Sequence, residues 1–190
     1  MSKNIVFLGI KHCGKSTHGK LLAERLDRRF LDTDDMLSMA YQEKFGCPAA
    51  EAAPREIMKK HGEEFFRKFE AQVIRDYLEK NRDNGDVLAL GGGVPCNDFL
   101  STEELKSLGV MLHLAISADT AFKRIAAGGI PPFLQGDDPY AKFLAMYDKR
   151  LPRYNEIADV VIDLPEEPVK SEIAELIYNT LKEKKFLENI

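Results

Sequence analysis

The stretch Gly9-Ile10-Lys11-His12-Cys13-Gly14-Lys15-Ser16-Thr17 constrains this chain more than any other. It fits G-x-x-x-x-G-K-[ST], a loop whose backbone N–H groups converge on phosphate oxygens. The pattern alone is common, so its surroundings decide. Upstream, Asn4-Ile5-Val6-Phe7-Leu8 is a short apolar run of the kind a buried parallel strand requires. Downstream, Leu21, Leu22, Arg25 and Leu26 recur at helical spacing. Strand, glycine-bounded loop and helix follow in the order the motif demands, which a turn that binds nothing would not need.

Each residue type has a reason. Gly9 and Gly14 let the backbone curl, and the following helix adds unpaired N–H donors and partial positive charge. Lys15 reaches the terminal phosphates, Ser16 offers a hydroxyl to Mg²⁺, and Thr17 donates to the inner phosphate. Cys13 places a thiol inside an electropositive cradle, so it is expected to be the most readily alkylated of the three cysteines. The loop predicts a site for a nucleoside triphosphate, ATP with Mg²⁺.

At 190 residues the chain is most simply one domain over 1–190, and 44% hydrophobic with 31% charged residues suits a globular fold. A net charge of −4 provides no basic field and argues against nucleic acid as a partner. No apolar run approaches membrane-spanning length. Cys13, Cys47 and Cys96 are odd in number and lack metal-ligand spacing, as expected of reduced thiols in a cytoplasm. The first strand begins almost at once, leaving no room for a signal peptide. A monomer is expected.

Along the chain, Arg29-Phe30-Leu31 leads into Asp32-Thr33-Asp34-Asp35, where a second strand ends and a helix opens. Asp32 and Asp34 then point toward the phosphate site, and helix capping accounts for one of them. Helix 36–45 is broken by Gly46-Cys47-Pro48, and Ala49–Lys60, with Pro54 inside it, reads as irregular or weakly helical. A helix opens near His61-Gly62 and runs to about Glu79, its apolar stripe formed by Phe65, Phe69 and Val73. Arg67 lies off that stripe, so spacing alone allows a solvated arginine. Strand Asp86–Leu90 ends in Gly91-Gly92-Gly93, a run that implies close approach to the backbone. Helix 101–107, strand Val110–Ile116 with a core His113, and helix Asp119–Ala127 follow. Gly128–Gly136 reads as a flexible loop with a stiff centre. Helix Tyr140–Glu156 carries Lys149, Arg150 and Arg153. Strand Asp159–Asp163 and the turn Pro165–Pro168 lead to a helix at about 169–185. The repeated β-α order predicts an α/β fold, a five-stranded parallel sheet flanked by helices on both faces.

Taken together these stretches resemble the shikimate kinase family, within the nucleoside monophosphate kinase group of P-loop proteins. The resemblance covers nearly the whole chain. It rests on FxDxD at Phe30–Asp34, GExxFRxxE at Gly62–Glu70, the triple glycine, K-R-x-P-x-Y at Lys149–Tyr154 and the Ile162-Asp163 turn. It implies ATP-dependent phosphoryl transfer to the 3-hydroxyl of shikimate. A kinase of another small hydroxylated acid such as gluconate, or a nucleotide-binding relative with weak or lost turnover, are the alternatives.

The resemblance also implies roles. Asp34 contacts the acceptor hydroxyls and acts as catalytic base, Lys15 is the catalytic charge on the phosphates, and Asp32 and Ser16 sit by Mg²⁺. Arg67 and Arg150 hold the carboxylate, with Gly91, Gly92 and Gly93 along the ring. Gly9, Cys13, Gly14, Lys15, Ser16, Thr17 and Arg124 bind the nucleotide, Arg124 by stacking on adenine. About 33–80 forms a substrate-binding segment and about 127–137 a lid. The chain departs from the family in three places. Pro131 stands at the lid's arginine position, His12 replaces the inner glycine of the loop, and the region near 47–58 is an insertion. Without the lid arginine, positive charge for the transferred phosphoryl group has to come from Lys11, His12 or Arg153, and Lys11 is the preferred reading.

Overall fold

Short runs of apolar and β-branched residues give five strands: β1 (Ile5–Leu8), β2 (Phe30–Asp32), β3 (Val87–Ala89), β4 (Val110–Ala115) and β5 (Val160–Asp163). In the computed structural model, which describes residues 3–167 and 169–187, all pair in parallel in the order β2-β3-β1-β4-β5. Every residue of β1 and β3 is buried, so both faces of the sheet centre are covered. Strand β5 alternates buried and exposed residues, as an edge strand does.

The helices are α1 (Lys15–Leu26), α2 (Thr33–Phe45), α3 (Pro54–His61), α4 (Glu63–Asn81), α5 (Thr102–Lys106), α6 (Ala118–Ala127), α7 (Pro139–Ile157) and α8 (Lys170–Glu183). Helices α1 and α8 pack together, and α7 packs with α5, α6 and β4. The expected strands and helices are present with small shifts at their ends. Pro168 lies outside the described residues.

One segment departs from expectation. Ala49–Ala52 forms a 3₁₀ turn and Pro54–His61 a regular helix, where sequence suggested irregular chain. Pro54 occupies the first turn, where its missing N–H and fixed φ favour the helix rather than break it. Ile57 is fully buried, and His61 Nε2 meets Tyr41 Oη at 2.7 Å, which ties α3 to α2. In α4 Phe69 and Val73 of the expected stripe are buried, while Phe65 is only half-buried and Phe66 takes its place.

The apolar interior falls into two bodies. The larger surrounds the sheet and includes Phe7, Leu88, Leu112, Ile74, Tyr77 and Ile177. The smaller joins α2, α3 and the first half of α4 through Leu37, Tyr41, Ala52, Ile57, Phe66, Phe69 and Val73. Helix α4 contributes to both.

Candidate active site

The C-terminal ends of β1, β2 and β3 meet at one edge of the sheet, where the strand order reverses about β1. Crevices of this kind receive ligands in open α/β sheets. Strand β1 delivers the phosphate loop. Gly9 takes φ +141°, and a Cβ there would stand 2.7 Å from Leu114 O. Gly14 is the left-handed N-cap of α1, with no side chain capping the helix and no acid in its first turn. The leading N–H groups are therefore left for an anion. The Lys15 ammonium donates to Gly9 O at 2.9 Å and Ile10 O at 3.0 Å, folded back over the loop it serves.

Strand β2 delivers the acids. Asp32 accepts from Ser16 Oγ at 2.6 Å through Oδ2 and from Asp34 N at 3.0 Å through Oδ1. One carboxylate thus caps α2 and also bridges to the phosphate loop. A hydroxyl and a carboxylate side by side are hard oxygen donors of the type Mg²⁺ takes. Among the described residues no group of three His, Cys, Asp or Glu could hold a metal alone. The pair fits an ion whose remaining ligands come from phosphates and water.

Asp34 opens into the cleft. The protein crowded around its carboxyl, then the nearby Asp32 and Glu70 charges, raise its pKa above the ordinary carboxylate range, against the opposing charges of Lys15 and Lys11. A carboxylate tuned upward is a stronger proton acceptor while it remains ionised.

Strand β3 delivers the triple glycine, and its three members touch three different partners. A Cβ on Gly91 would lie 2.6 Å from Asp34 Oδ1, and one on Gly93 would lie 2.5 Å from Arg67 Nη1. A Cβ on Gly92 would stand 3.5 Å from Gly9 O and Lys11 N and 3.7 Å from Arg150 Nη1. Gly91 and Gly93 leave no room for a side chain because Asp34 and Arg67 close on them, whereas the phosphate loop and Arg150 stand at ordinary contact distance from Gly92. Gly91 N–H donates to Thr33 Oγ1 at 2.8 Å, and Tyr154 Oη donates to Gly92 O at 2.6 Å.

Arg67 is not the solvated arginine that spacing allowed. Its side chain is 18% exposed and donates to buried Glu70 Oε2 at 2.9 Å. Asn97 Nδ2 in turn donates to the same carboxylate oxygen at 2.9 Å and to Arg67 O at 2.8 Å. The guanidinium is held in place with further donors left for a ligand. Arg67, Gly93, Cys96, Lys149, Arg150 and Arg153 border one groove of about 1060 Å³. Glu63, Glu64 and Asp98 also line it, but the four basic side chains outnumber them, and an anionic ligand suits that excess.

Arg124 donates to His12 O at 3.3 Å and to Glu166 O at 3.1 Å, linking the phosphate loop to the turn after β5. His113 is buried as a core residue, with Nδ1 3.0 Å from Asn155 Oδ1 and its ring edge-on to Tyr154. The expectation for Cys13 is corrected. Its side chain is 1% exposed and lies against Gly9 in the main core, while its N–H bonds to Ile10 O at 3.3 Å. The thiol is buried beneath the loop, with the Lys15 ammonium 3.8 Å from Sγ, and is not the accessible group the sequence suggested. Glu70 and Tyr154 ended two of the quoted motifs without being given a role, and Asn97 was not singled out. For Glu70 and Tyr154 the signal was spacing: Glu70 lies three residues after Arg67 on α4, and Tyr154 four after Arg150 on α7.

Comparison with known proteins agrees with this geometry. The profile of the family described as shikimate kinase matches residues 11–182. A shikimate kinase of Thermodesulfovibrio yellowstonii is 34% identical over 187 residues, covering 98% of both chains. One from Dechloromonas aromatica is 35% identical over 161 residues, 85% of this chain and 81% of its own. Among solved structures, shikimate kinase from Acinetobacter baumannii in complex with shikimate superposes with a TM-score of 0.79 at 29% identity, covering 97% of this chain and 96% of that one. With a profile spanning most of its length, relatives above 30% identity and the site residues gathered at one sheet edge, this chain belongs to the shikimate kinase family.

Proposed function

We propose that the chain transfers the γ-phosphoryl group of ATP to the 3-hydroxyl of shikimate, and that the residues gathered around the triple glycine carry out the transfer. The observation that carries this reading is the meeting of Asp34, Arg67, Arg150 and the phosphate loop on Gly91–Gly93. Arg67 and Arg150 hold the acceptor carboxylate, since planar guanidinium forks match that group. Asp34 orients the acceptor hydroxyl and takes its proton. The acceptor oxygen forms its bond to the γ-phosphorus while the bond to the β,γ-bridging oxygen breaks, and ADP leaves with that electron pair. Lys15 and the N–H groups of α1 hold the phosphates in line, because positioning and charge stabilisation supply most of the catalysis in this reaction class.

Ser16 and Asp32 would hold Mg²⁺, which when bound neutralises charge on the β- and γ-phosphates. Arg124 lies over the adenine, and the turn after Asp163 borders the base. The segment 33–80 serves as the acceptor-binding part and 127–137 as the lid. No helix among the described residues is long and apolar enough to cross a membrane. We infer a monomeric cytoplasmic enzyme whose partners are ATP and shikimate, with neither nucleic acid nor membrane.

A coupled ADP-release assay with shikimate, gluconate and related hydroxy acids tests the reading, with ³¹P NMR of the product to locate the phosphate. Saturable turnover with shikimate alone and a 3-phosphate product is the expected result. Faster turnover with another acid, or phosphate on another oxygen, would overturn the substrate assignment.

A further inference from the structure

Phosphoryl transfer concentrates negative charge on the migrating group, and a cation beyond the phosphate-loop lysine is worth a large factor in rate. The segment 127–137, whose root at Gly128 borders His12 of the phosphate loop, contains neither Lys nor Arg. Its neighbours are engaged elsewhere. Arg124 is turned to His12 O and Glu166 O, and Lys142 Nζ donates to Gln135 O at 2.6 Å. Lys123 is exposed and projects roughly 100° round α6 from Arg124. The next sources fail for separate reasons. Arg153 donates to Pro95 O at 3.1 Å and to Glu156 Oε2 at 2.8 Å, away from the loop. His12 borders the root of the lid, its Cε1 4.0 Å from where a Gly128 Cβ would stand. Burial, then Lys11, Lys15 and Arg124, lower its pKa, so it is neutral at neutral pH.

Lys11 remains. Its backbone N faces Gly92 across the cleft, at 3.5 Å from that residue's added Cβ position, between the phosphate loop and the acceptor side. Its side chain is exposed, and among the described residues it makes no hydrogen bond or ion pair. We propose that Lys11 is a catalytic residue, the loop cation that contacts the transferring phosphoryl group in an enzyme whose lid carries none. The proposal rests on phosphoryl transfer at this site, not on the identity of the acceptor.

The test compares wild type with Lys11→Ala and Lys11→Arg. Each is measured for Mg·ADP affinity alone and with aluminium fluoride, a planar mimic of the migrating group, and then for turnover. Lys11→Ala should bind Mg·ADP within about threefold of wild type and lose most of the fluoride enhancement. Its kcat should fall by about 10²–10³, below the range measured for arginine fingers because an ammonium is a single point charge. Lys11→Arg should recover most of the loss. The binding arm needs no acceptor, so wild type that ignores shikimate but loses fluoride enhancement with Lys11→Ala defeats the substrate reading and supports this one. Fluoride enhancement and kcat within threefold of wild type in Lys11→Ala would overturn the proposal, as would an equal loss of plain Mg·ADP binding.

Discussion

The Arg67 guanidinium lies so close over the Cα of Gly93 that a methyl group there would stand 2.5 Å from Nη1. The neighbouring glycine has the same relation to Asp34, at 2.6 Å. Adjacent alanine substitutions therefore damage different functions. Gly93→Ala displaces the fork and should raise the KM for the acidic substrate by about tenfold, the cost of an overpacked contact, with kcat little changed. Gly91→Ala displaces the carboxylate and should lower kcat instead. Steady-state kinetics on the two variants reads the difference, and the same pattern from both would refute the assignment.

Asp34→Asn should lower kcat by about 10²–10⁴ while leaving ATP affinity intact. The same change should stabilise the protein at neutral pH. A carboxyl whose folded pKa is raised binds more protons folded than unfolded, so its contribution to stability falls as pH rises through that window. Thermal melts at pH 7 should show a higher Tm for the variant, and the gain should vanish below the unfolded carboxyl pKa of about 3.9. A lower Tm at pH 7 would contradict the electrostatic account.

Arg67→Lys keeps the charge and loses the fork. Loss of a charge-assisted hydrogen bond, about 1.5–3 kcal/mol, predicts a rise of about 10- to 100-fold in KM for the acid and little change for ATP. Glu70→Gln should produce a weaker version of the same effect by loosening the hold on the guanidinium. Equal changes in both KM values would count against a role at the carboxylate.

Cys13 should resist alkylation in the folded protein, because its thiol is buried beneath Gly9. Cys47 and Cys96 are partly exposed and should label first. Cys96 borders the arginine-lined groove, and burial pushes its thiol pKa up despite Arg150 and Arg153 nearby, so its labelling should be slow and blocked by substrate. Mass mapping of native protein decides this. Rapid labelling at Cys13 would show that the loop opens.

Far from the cleft, Asp86 is 2% exposed and accepts from Arg29 Nη2 and Tyr77 Oη, each at 2.7 Å. Burial alone would push its pKa up, but hydrogen bonds from Arg29, Tyr77 and Asn84 outweigh it and hold the carboxyl below its ordinary range. Its stabilisation is present above the unfolded pKa and is lost as pH falls through the folded one. Asp86→Asn should cost about 1–2 kcal/mol at pH 7, since Arg29 is half exposed, and the gap to wild type should close below about pH 4. Urea midpoints across pH provide the check.

Much of this was legible in the chain because the signals are local. Strand β1, the glycines of the phosphate loop and α1 occupy consecutive residues, and Asp32 and Asp34 follow a strand directly. What escaped depends on direction or distance. Pro54 looks like a breaker until one knows that it sits in a first turn. The surroundings of Cys13 looked electropositive because charge can be read along a chain, whereas the burial of its side chain against Gly9 is set by the fold. Glu70 and Asn97 matter through Arg67, and Asn97 lies 30 residues away in sequence.

The division of the apolar interior bears on how the molecule opens. Helices α2 and α3 bury their side chains chiefly on one another and on Phe66, Phe69 and Val73, whereas Ala71, Ile74, Tyr77 and Leu78 of the same α4 rod are anchored in the sheet. Amide protons of α2, α3 and the first turns of α4 should therefore exchange as one low-energy foldon, and those of the sheet and the rest of α4 as another. Occupancy of the acceptor site should slow the first group and leave the second unchanged. Helix α4 then joins the two groups, with Arg67 in the half that packs with α2 and α3 and its backbone tied to Asn97.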